Sequence, residues 1–344
     1  MAQNSIKNII IGIIALNLVV IIHEFGHFAA CKLFGVKVNT FSIGFPPVIA
    51  STKIGDTTYQ LGALPLGGFV SPDPQGVQKL PYIKKMIMVL AGIFMNFLLA
   101  FLILFALARR TNRKPIPVID TVLPDSPAAH AGLQPGDRFI AINSIPFDQE
   151  NITELLQTIY NSGGKQVTFI IERDGRELTV PVHITNHNPL LGDGVGTVGV
   201  SFQTEKVPTP TLWESITHTR KSFSALFASM GPTVAKMLRS KGKNNGGVIG
   251  PIGIMSLLGK SLSYGLATFL YFMAIISFNI GAFNLLPIPF LDGGVAAQYT
   301  LEALTGTHLP PAIVTIIYII FIMLLVFMMI RLTVGDVRQL RRKS

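Results

Sequence analysis

The sequence predicts a polytopic α-helical membrane protein. It should have about four transmembrane helices, a membrane-associated β-hairpin or sheet region, and an inserted α+β domain. Three observations lead there. Of the 344 residues 49% are hydrophobic and only 13% charged, against roughly a quarter charged in ordinary soluble domains. Several apolar runs are long enough, at ~1.5 Å per residue, to cross a hydrocarbon layer roughly 30 Å thick. Between them, residues 115–207 return to a soluble composition of short alternating strands and turn residues.

Taken in order, the first span runs from about Ile9 to about Cys31. Lys7 before an apolar core has the look of a signal peptide, but no A-x-A site follows, so the segment is read as a retained anchor. The loop "TTYQLGALPLGGFV" alternates in character and predicts short strands near the membrane surface. Gly67 and Gly68 within it mark a turn or a close backbone approach. The second span is Met86 to Ala108, and with it a first region, 1–114, closes. Region 115–207 carries strands at "VIDTVL", "DRFIAIN", "QVTFIIERDGRELTVPVHI" and "TVGVSF", with Asp174-Gly175 as a hairpin turn and helices at "SPAAHAG" and "NITELLQTIYN". Region 208–262 holds an amphipathic helix, Leu212 to Lys241, and a Gly-rich turn, "KNNGGVIGPIG". Region 263–344 holds a third span from near Gly265, broken by Pro287 and Pro289, and a fourth from Ala312 to Ile330. A helix break at bilayer depth is tolerated only where protein or a wet cavity surrounds it.

The formal net charge is +10, with the basic residues at the ends of apolar runs. Anionic lipid head groups are the expected partner and nucleic acid is not. Cys31 is the only cysteine, so no intrachain disulfide can form.

The chemistry lies in "VVIIHEFGHFAACKLFGV". Each ionisable group at bilayer depth costs on the order of 2.5–3.5 kcal/mol on insertion scales, so a His, a Glu and a second His there need a reason. His23 and His27 are four apart and share one helix face, the spacing at which two imidazoles ligate one zinc with Glu24 beside them as base. Zinc needs a third protein ligand, and among acids at membrane depth Asp292, ending the broken third segment, is well placed. Asn96, in "AGIFMNFLLA", is read as glue between helices, and Gly92 as a site of close helix packing.

"HEFGH", "FSIGF", "PLGGFV", "GPIG" and "NLLPIPFLDGG", in this order around one mid-chain domain, resemble the site-2 proteases. The likeness is to the bacterial regulator-of-sigma-E type, zinc metalloproteases that cut transmembrane helices, and "SPAAHAGLQPGDRFIAINSIPF" resembles their PDZ domain. The resemblance implies one zinc per chain on His23, His27 and Asp292, with Glu24 catalytic. It implies that Asn279 and Asn284 line the site, Asn284 hydrogen-bonding the substrate backbone. It also implies that the Gly67–Gly68 loop presents a strand edge to an unwound substrate. Implied substrates are transmembrane proteins, such as anti-sigma factors or signal-peptide remnants. The likeness departs at Val295, where many members carry histidine, and in its single PDZ-like domain. A groove near Gly132 and Leu133 is the place where that domain would recruit a partner.

Two rival readings remain at this level. A PDZ-containing receptor or scaffold would not need His23, Glu24, His27 and Asp292 together, and a metal transporter would not explain Glu24 or the inserted domain. Lysines 32, 37, 53, 79, 84 and 85 favour a cytoplasmic face for the loop between the first two spans, while the basic tail from Arg331 to Lys343 pulls the other way. The family resemblance points to a multi-pass protein of the cell membrane, its active site toward the cytoplasm and its PDZ-like domain outside.

Overall fold

The computed structural model describes the backbone of residues 2–110, 113–143, 145–146, 152–188, 192–239, 251–307, 309–310, 312–321, 323 and 326–327. The chain forms two compact units. One comprises Met1–Leu107, Thr217–Ser229 and Ile249–Ser344, the other Ala108–Ile216 and Met230–Val248.

In the first unit, helix α1 spans Ala2–Leu33. Ala15, Val19, His23 and Ala30 form its buried stripe, whereas Ile6, Ile10, Ile14, Leu18 and Phe25 are exposed. Both faces are apolar, the pattern of a helix whose outer face meets lipid rather than water. The helix ends where Val36 N–H reaches Cys31 O (2.8 Å) and Gly35 N–H reaches Lys32 O (3.2 Å), with Gly35 at φ +72°, a Schellman cap.

Strands β1 (Val38–Ile54) and β2 (Thr57–Pro72) follow. They fold back so that residues 40–43 pair with 58–61 on one side and 68–71 on the other, while 48–54 pair with 57–62. Among the described pairings, 68–71 is therefore an outer edge. The short helix α2 (Pro74–Gln78) is capped by Asp73, whose Oδ2 accepts from Gly76 N–H at 2.8 Å.

Helix α3 (Tyr82–Arg110) is a second long apolar helix. The remaining elements are introduced in chain order: β3 (Arg113–Val122), α4 (Pro127–His130), β4 (Arg138–Ile142), β5 (Ile145–Pro146), α5 (Ile152–Asn161), β6 (Gln166–Arg173), β7 (Arg176–His183), β8 (Thr185–Asn188), β9 (Gly192–Thr197), β10 (Val200–Lys206), α6 (Leu212–Arg239), α7 (Pro251–Ser261), α8 (Leu266–Asn284) and α9 (Asp292–Thr305).

Among the described residues three helices are long and apolar enough to cross a membrane: Ile6–Leu33 within α1, then α3 and α8. Of the expected fourth span, 312–330, residues Ala312–Phe321 form a shorter apolar helix; most of the rest, the basic tail and most of the Gly-rich turn at 243–253 lie outside the described residues. Within the first unit Phe223 and Phe227 of α6 pack with Phe97 and Phe278, ring centroids 4.7–6.4 Å apart.

The second unit obeys the rules of a water-soluble domain. Its main sheet has the order β10-β3-β4-β6-β7, with β5 beside β4, and β8 and β9 form a separate pair. Along β6 Val167, Phe169 and Ile171 are buried, the period of two expected of a half-buried strand. They join Ile119, Phe139, Leu155, Val182 and Ile184 in one core. Asp174 (φ +52°) and Gly175 (φ +73°) close the β6–β7 hairpin, with Arg173 opposite Arg176, as a turn with two positive φ angles requires. The other strands and helices expected at 118–202 are present, but the one expected at "TVGVSF" is split: Thr197 ends β9, Gly199 turns at φ +82°, and β10 begins at Val200. β8 and β9 were not foreseen, because their sequences, TNHN and GDGVGT, show no apolar alternation. Ahead of α6, Thr211 and Glu214 form a capping box: Thr211 N–H donates to Glu214 Oε2 (2.7 Å) and Glu214 N–H to Thr211 Oγ1 (3.2 Å). The Thr211 N–H, and then its hydroxyl, hold the Glu214 carboxyl below the usual glutamate value.

Asp137 is the polar hub of this unit. Its side chain is buried and accepts from Arg173 Nε (2.6 Å), Arg173 Nη2 (2.7 Å) and Gln134 N–H (2.8 Å), while Arg173 also donates to Gly132 O. Truncation strands these donors together, at a cost of about 2 kcal/mol for hydrogen bonds to a charged group. We therefore expect Asp137→Ala to raise the proteolysis rate within 113–206 of the detergent-solubilised full chain by roughly 30-fold, as the open fraction rises. Unchanged proteolysis would show that the hub does not hold this unit together.

Candidate active site

Three elements build the site. His23 and His27 project from one face of α1, one turn apart. Asp292 is the first residue of α9, delivered by the loop that follows α8. That loop makes its own local hydrogen bonds, Ile288 N–H to Leu286 O (2.7 Å) and Leu291 N–H to Ile288 O (3.1 Å), and places Phe290 at φ +66°. A non-glycine residue in that region stores strain of the order of 1 kcal/mol or more, held only where surrounding structure imposes it. The double glycine after Asp292 is explained by close approach. A Cβ on Gly293 would lie 2.3 Å from Leu285 O, and one on Gly294 2.1 Å from Ile288 O. The start of α9 thus lies directly on the Pro-containing loop.

The side chains converge. His23 Nε2 is 3.2 Å from Asp292 Oδ2, His27 Nε2 is 3.4 Å from Asp292 Oδ1, and the two Nε2 atoms are 3.3 Å apart. His27 Nδ1 donates to Met88 O of α3 at 2.9 Å, which leaves the lone pair on its Nε2. His23 Nδ1 lies 3.1 Å from the side-chain nitrogen of Asn96, also on α3.

These distances fit a metal. A tetrahedral ion with bonds of ~2.0–2.1 Å to nitrogen and oxygen sets its ligand atoms about 3.3–3.4 Å apart. The space for it is kept by Gly92: a Cβ there would sit 2.4 Å from His27 Nε2 and 2.8 Å from His23 Nε2. Met88, Gly92 and Asn96 are four apart along α3, so the face of α3 turned toward the histidines consists of an acceptor, a gap and an amide.

A cavity of about 540 Å³ opens on this centre. His23, Glu24, His27 and Asp292 line it together with Gly68, Phe69 and Val70 of the β2 edge and with Asn284 at the end of α8. A Cβ on Gly68 would be 3.5 Å from Glu24 Cγ, so strand and glutamate are immediate neighbours. Asn17 of α1 ties β2 to the helix by donating to Pro65 O at 2.7 Å.

The sequence-derived residues thus separate. His23, Glu24, His27, Asp292, Asn284 and Gly68 meet at one cavity. Gly67, at φ +156°, lies under the Phe45 ring, and Asn279, half-buried on α8, is not among the lining residues. In the second unit Leu133 is a core residue and the Gly132 carbonyl accepts from Arg173. Met88 and Asn96 were missed as neighbours of the histidines. The signal available was the four-residue spacing of Gly92 and Asn96 inside an apolar span.

A family model, peptidase family M50, matches residues 11–328. The chain belongs to peptidase family M50. It is a site-2-type zinc metalloprotease of the membrane. Among similar proteins is one of Clostridium perfringens provisionally named a zinc metalloprotease, 29% identical over 96% of this chain and 98% of that protein. A Rickettsia conorii protein of the same provisional description is 30% identical over 96% of this chain and 99% of its own. The chloroplastic membrane metalloprotease ARASP of Arabidopsis thaliana is 27% identical over 96% of this chain and 79% of its own. A solved PDZ domain of an SdrC-like protein of Listeria monocytogenes matches 25% of this chain and 84% of that chain, at 20% identity and a TM-score of 0.22.

Gly92→Ala supplies the sharpest test of the space between the histidines. Alanine favours helix over glycine by ~1 kcal/mol, so α3 should not suffer. We expect bound zinc, measured by elemental analysis of purified protein, to fall at least about ten-fold. Wild-type zinc content in that variant would place the ion elsewhere.

Proposed function

We propose that the chain is an intramembrane endopeptidase that binds one zinc through His23, His27 and Asp292, uses Glu24 as general base and acid, and cleaves peptide bonds within transmembrane segments of membrane proteins. The carrying observation is the set of 3.2, 3.3 and 3.4 Å separations among the two imidazole Nε2 atoms and the two oxygens of the Asp292 carboxylate, beside Glu24 in a cavity lined by elements of the membrane unit.

When bound there, zinc supplies Lewis acidity toward the scissile carbonyl and lowers the pKa of an attacking water toward neutrality. The chain's own residues do the rest. Glu24 takes the proton from the attacking water and returns it to the leaving amide nitrogen as the C–N bond breaks. Asn284, at the cavity wall, holds the substrate backbone by hydrogen bonding. A substrate helix keeps its amides paired internally, so it has to unwind before attack. The outer edge at 68–71 offers ladder hydrogen bonds to the extended strand that results.

Anti-sigma factors and signal-peptide remnants are the substrate classes we favour, on the likeness to regulator-of-sigma-E-type proteases. The PDZ-like domain, residues 115–207, lies outside the cell and screens substrates by excluding those with bulky parts on that side. The active-site face is cytoplasmic.

Cleavage of a labelled transmembrane peptide by the purified chain, stopped by a chelator and restored by zinc, is the direct test. Glu24→Gln should retain zinc and lose at least ~100-fold in rate, since a positioned acid–base group contributes about 10²–10⁴. Asp292→Ala should lose both zinc and cleavage. Full zinc in Asp292→Ala would remove that ligand assignment, and an active Glu24→Gln would remove the mechanism.

Orientation is read separately. In a Cys31→Ser background, a cysteine at Asn161 should react with an impermeant maleimide on intact cells and one at Lys79 should not. The opposite pattern would reverse the topology.

A further inference from the structure

Asn96 stands mid-way along α3, in an apolar span, and is fully buried. Its backbone carbonyl accepts from Ser277 Oγ of α8 at 2.8 Å. Its side-chain nitrogen lies 3.1 Å from His23 Nδ1, while its Oδ1 is buried with no hydrogen-bond partner. In this orientation the amide donates to His23 and leaves its own acceptor stranded.

A histidine that offers Nε2 to a metal carries its proton on Nδ1, and the group facing Nδ1 has to accept it. His27 meets this condition through Met88 O. At His23 the Asn96 amide is the group in that place, and its oxygen and nitrogen exchange positions by a half-turn about the terminal side-chain bond. We propose that Asn96 is a positioning residue. Its Oδ1 accepts the His23 Nδ1–H and so holds the imidazole in the tautomer whose Nε2 lone pair faces His27 Nε2 and Asp292. The inference rests on the zinc reading given above.

The surroundings suit that role. Ser277 and Gly281, one turn apart on α8, bring the helix onto Asn96: a Cβ on Gly281 would lie 3.2 Å from Asn96 Cβ. The backbone beneath the amide is thereby held, and the amide has only its rotation left. A carboxylate is a common partner for a ligating histidine, but here it would add another buried anion near Glu24 and Asp292. A neutral amide supplies the acceptor without that charge.

The test measures zinc affinity by chelator competition on the full chain in detergent, in a Glu24→Gln background that prevents self-cleavage. Asn96→Leu, close in shape but without an acceptor, should weaken zinc binding about 10- to 100-fold, the usual effect of losing such a partner. Asn96→Asp, which keeps an acceptor, should stay within about three-fold of the parent. Ser277→Ala, which cuts the α8 contact and leaves His23 alone, should lower the melting temperature with zinc affinity unchanged. The inference is overturned if Asn96→Leu binds zinc within about three-fold of the parent, or if Ser277→Ala weakens zinc as much as Asn96→Leu. It is also overturned if a folded Asn96→Asp is as weak as the leucine variant, and this arm decides alone should Asn96→Leu not fold. His23→Ala separates the two levels. If it binds zinc normally the ligand assignment itself is wrong, whereas if it loses zinc while Asn96→Leu keeps it, only the positioning role fails.

Discussion

Polar groups at membrane depth have to satisfy one another, because hydrocarbon offers them nothing. His23, Glu24, His27 and Asp292 each carry an insertion cost of a few kcal/mol, and the first unit is organised around offsetting it. His27 is held by Met88 O, His23 by the Asn96 amide, and both face Asp292. Two of these partners come from α3 and one from α9, so the network joins elements far apart in sequence. The gap at Gly92 follows from it, since α3 has to run close under the imidazoles without occupying the space between them.

The broken region after α8 obeys the same constraint from the backbone side. Pro287 and Pro289 prevent a continuous helix, and within the turn Ile288 N–H pairs with Leu286 O and Leu291 N–H with Ile288 O. Asp292 needs that break: as a helix's first residue it projects from a rigid start directly opposite His23 and His27. The β2 edge faces the same cavity and is pinned through Pro65 to Asn17. Rigid helices thus hold the converging side chains, while the outer edge of β2 lies along the same cavity.

The second unit follows the physics of water. Its strands alternate, its core is one cluster around Phe139 and Phe169, and its buried carboxylate, Asp137, is matched by a guanidinium and a backbone amide. In α1, by contrast, exposed and buried faces are equally apolar. The same chain therefore carries two patterns of hydrophobicity because its two units answer to two solvents.

That difference governs what could be read in advance. The sequence by itself determined the long apolar helices, the strands of the inserted domain with their Asp174-Gly175 turn, and the pairing of His23 with His27, because helical and strand periods are local properties. It also singled out Asp292, since few acids can sit near a helix break at that depth. Only the tertiary structure decided that Asn96 faces His23, that Met88 O faces His27, and that Asn284 lines the cavity while Asn279 does not. It likewise decided that Leu133 enters a core and that the Gly132 carbonyl is taken by Arg173. The physical reason is rotational. Spacing along one helix follows from its 3.6-residue period, but which residues meet across two helices depends on how each is turned about its axis. A span that is apolar on every side carries no amphipathic stripe to record that angle.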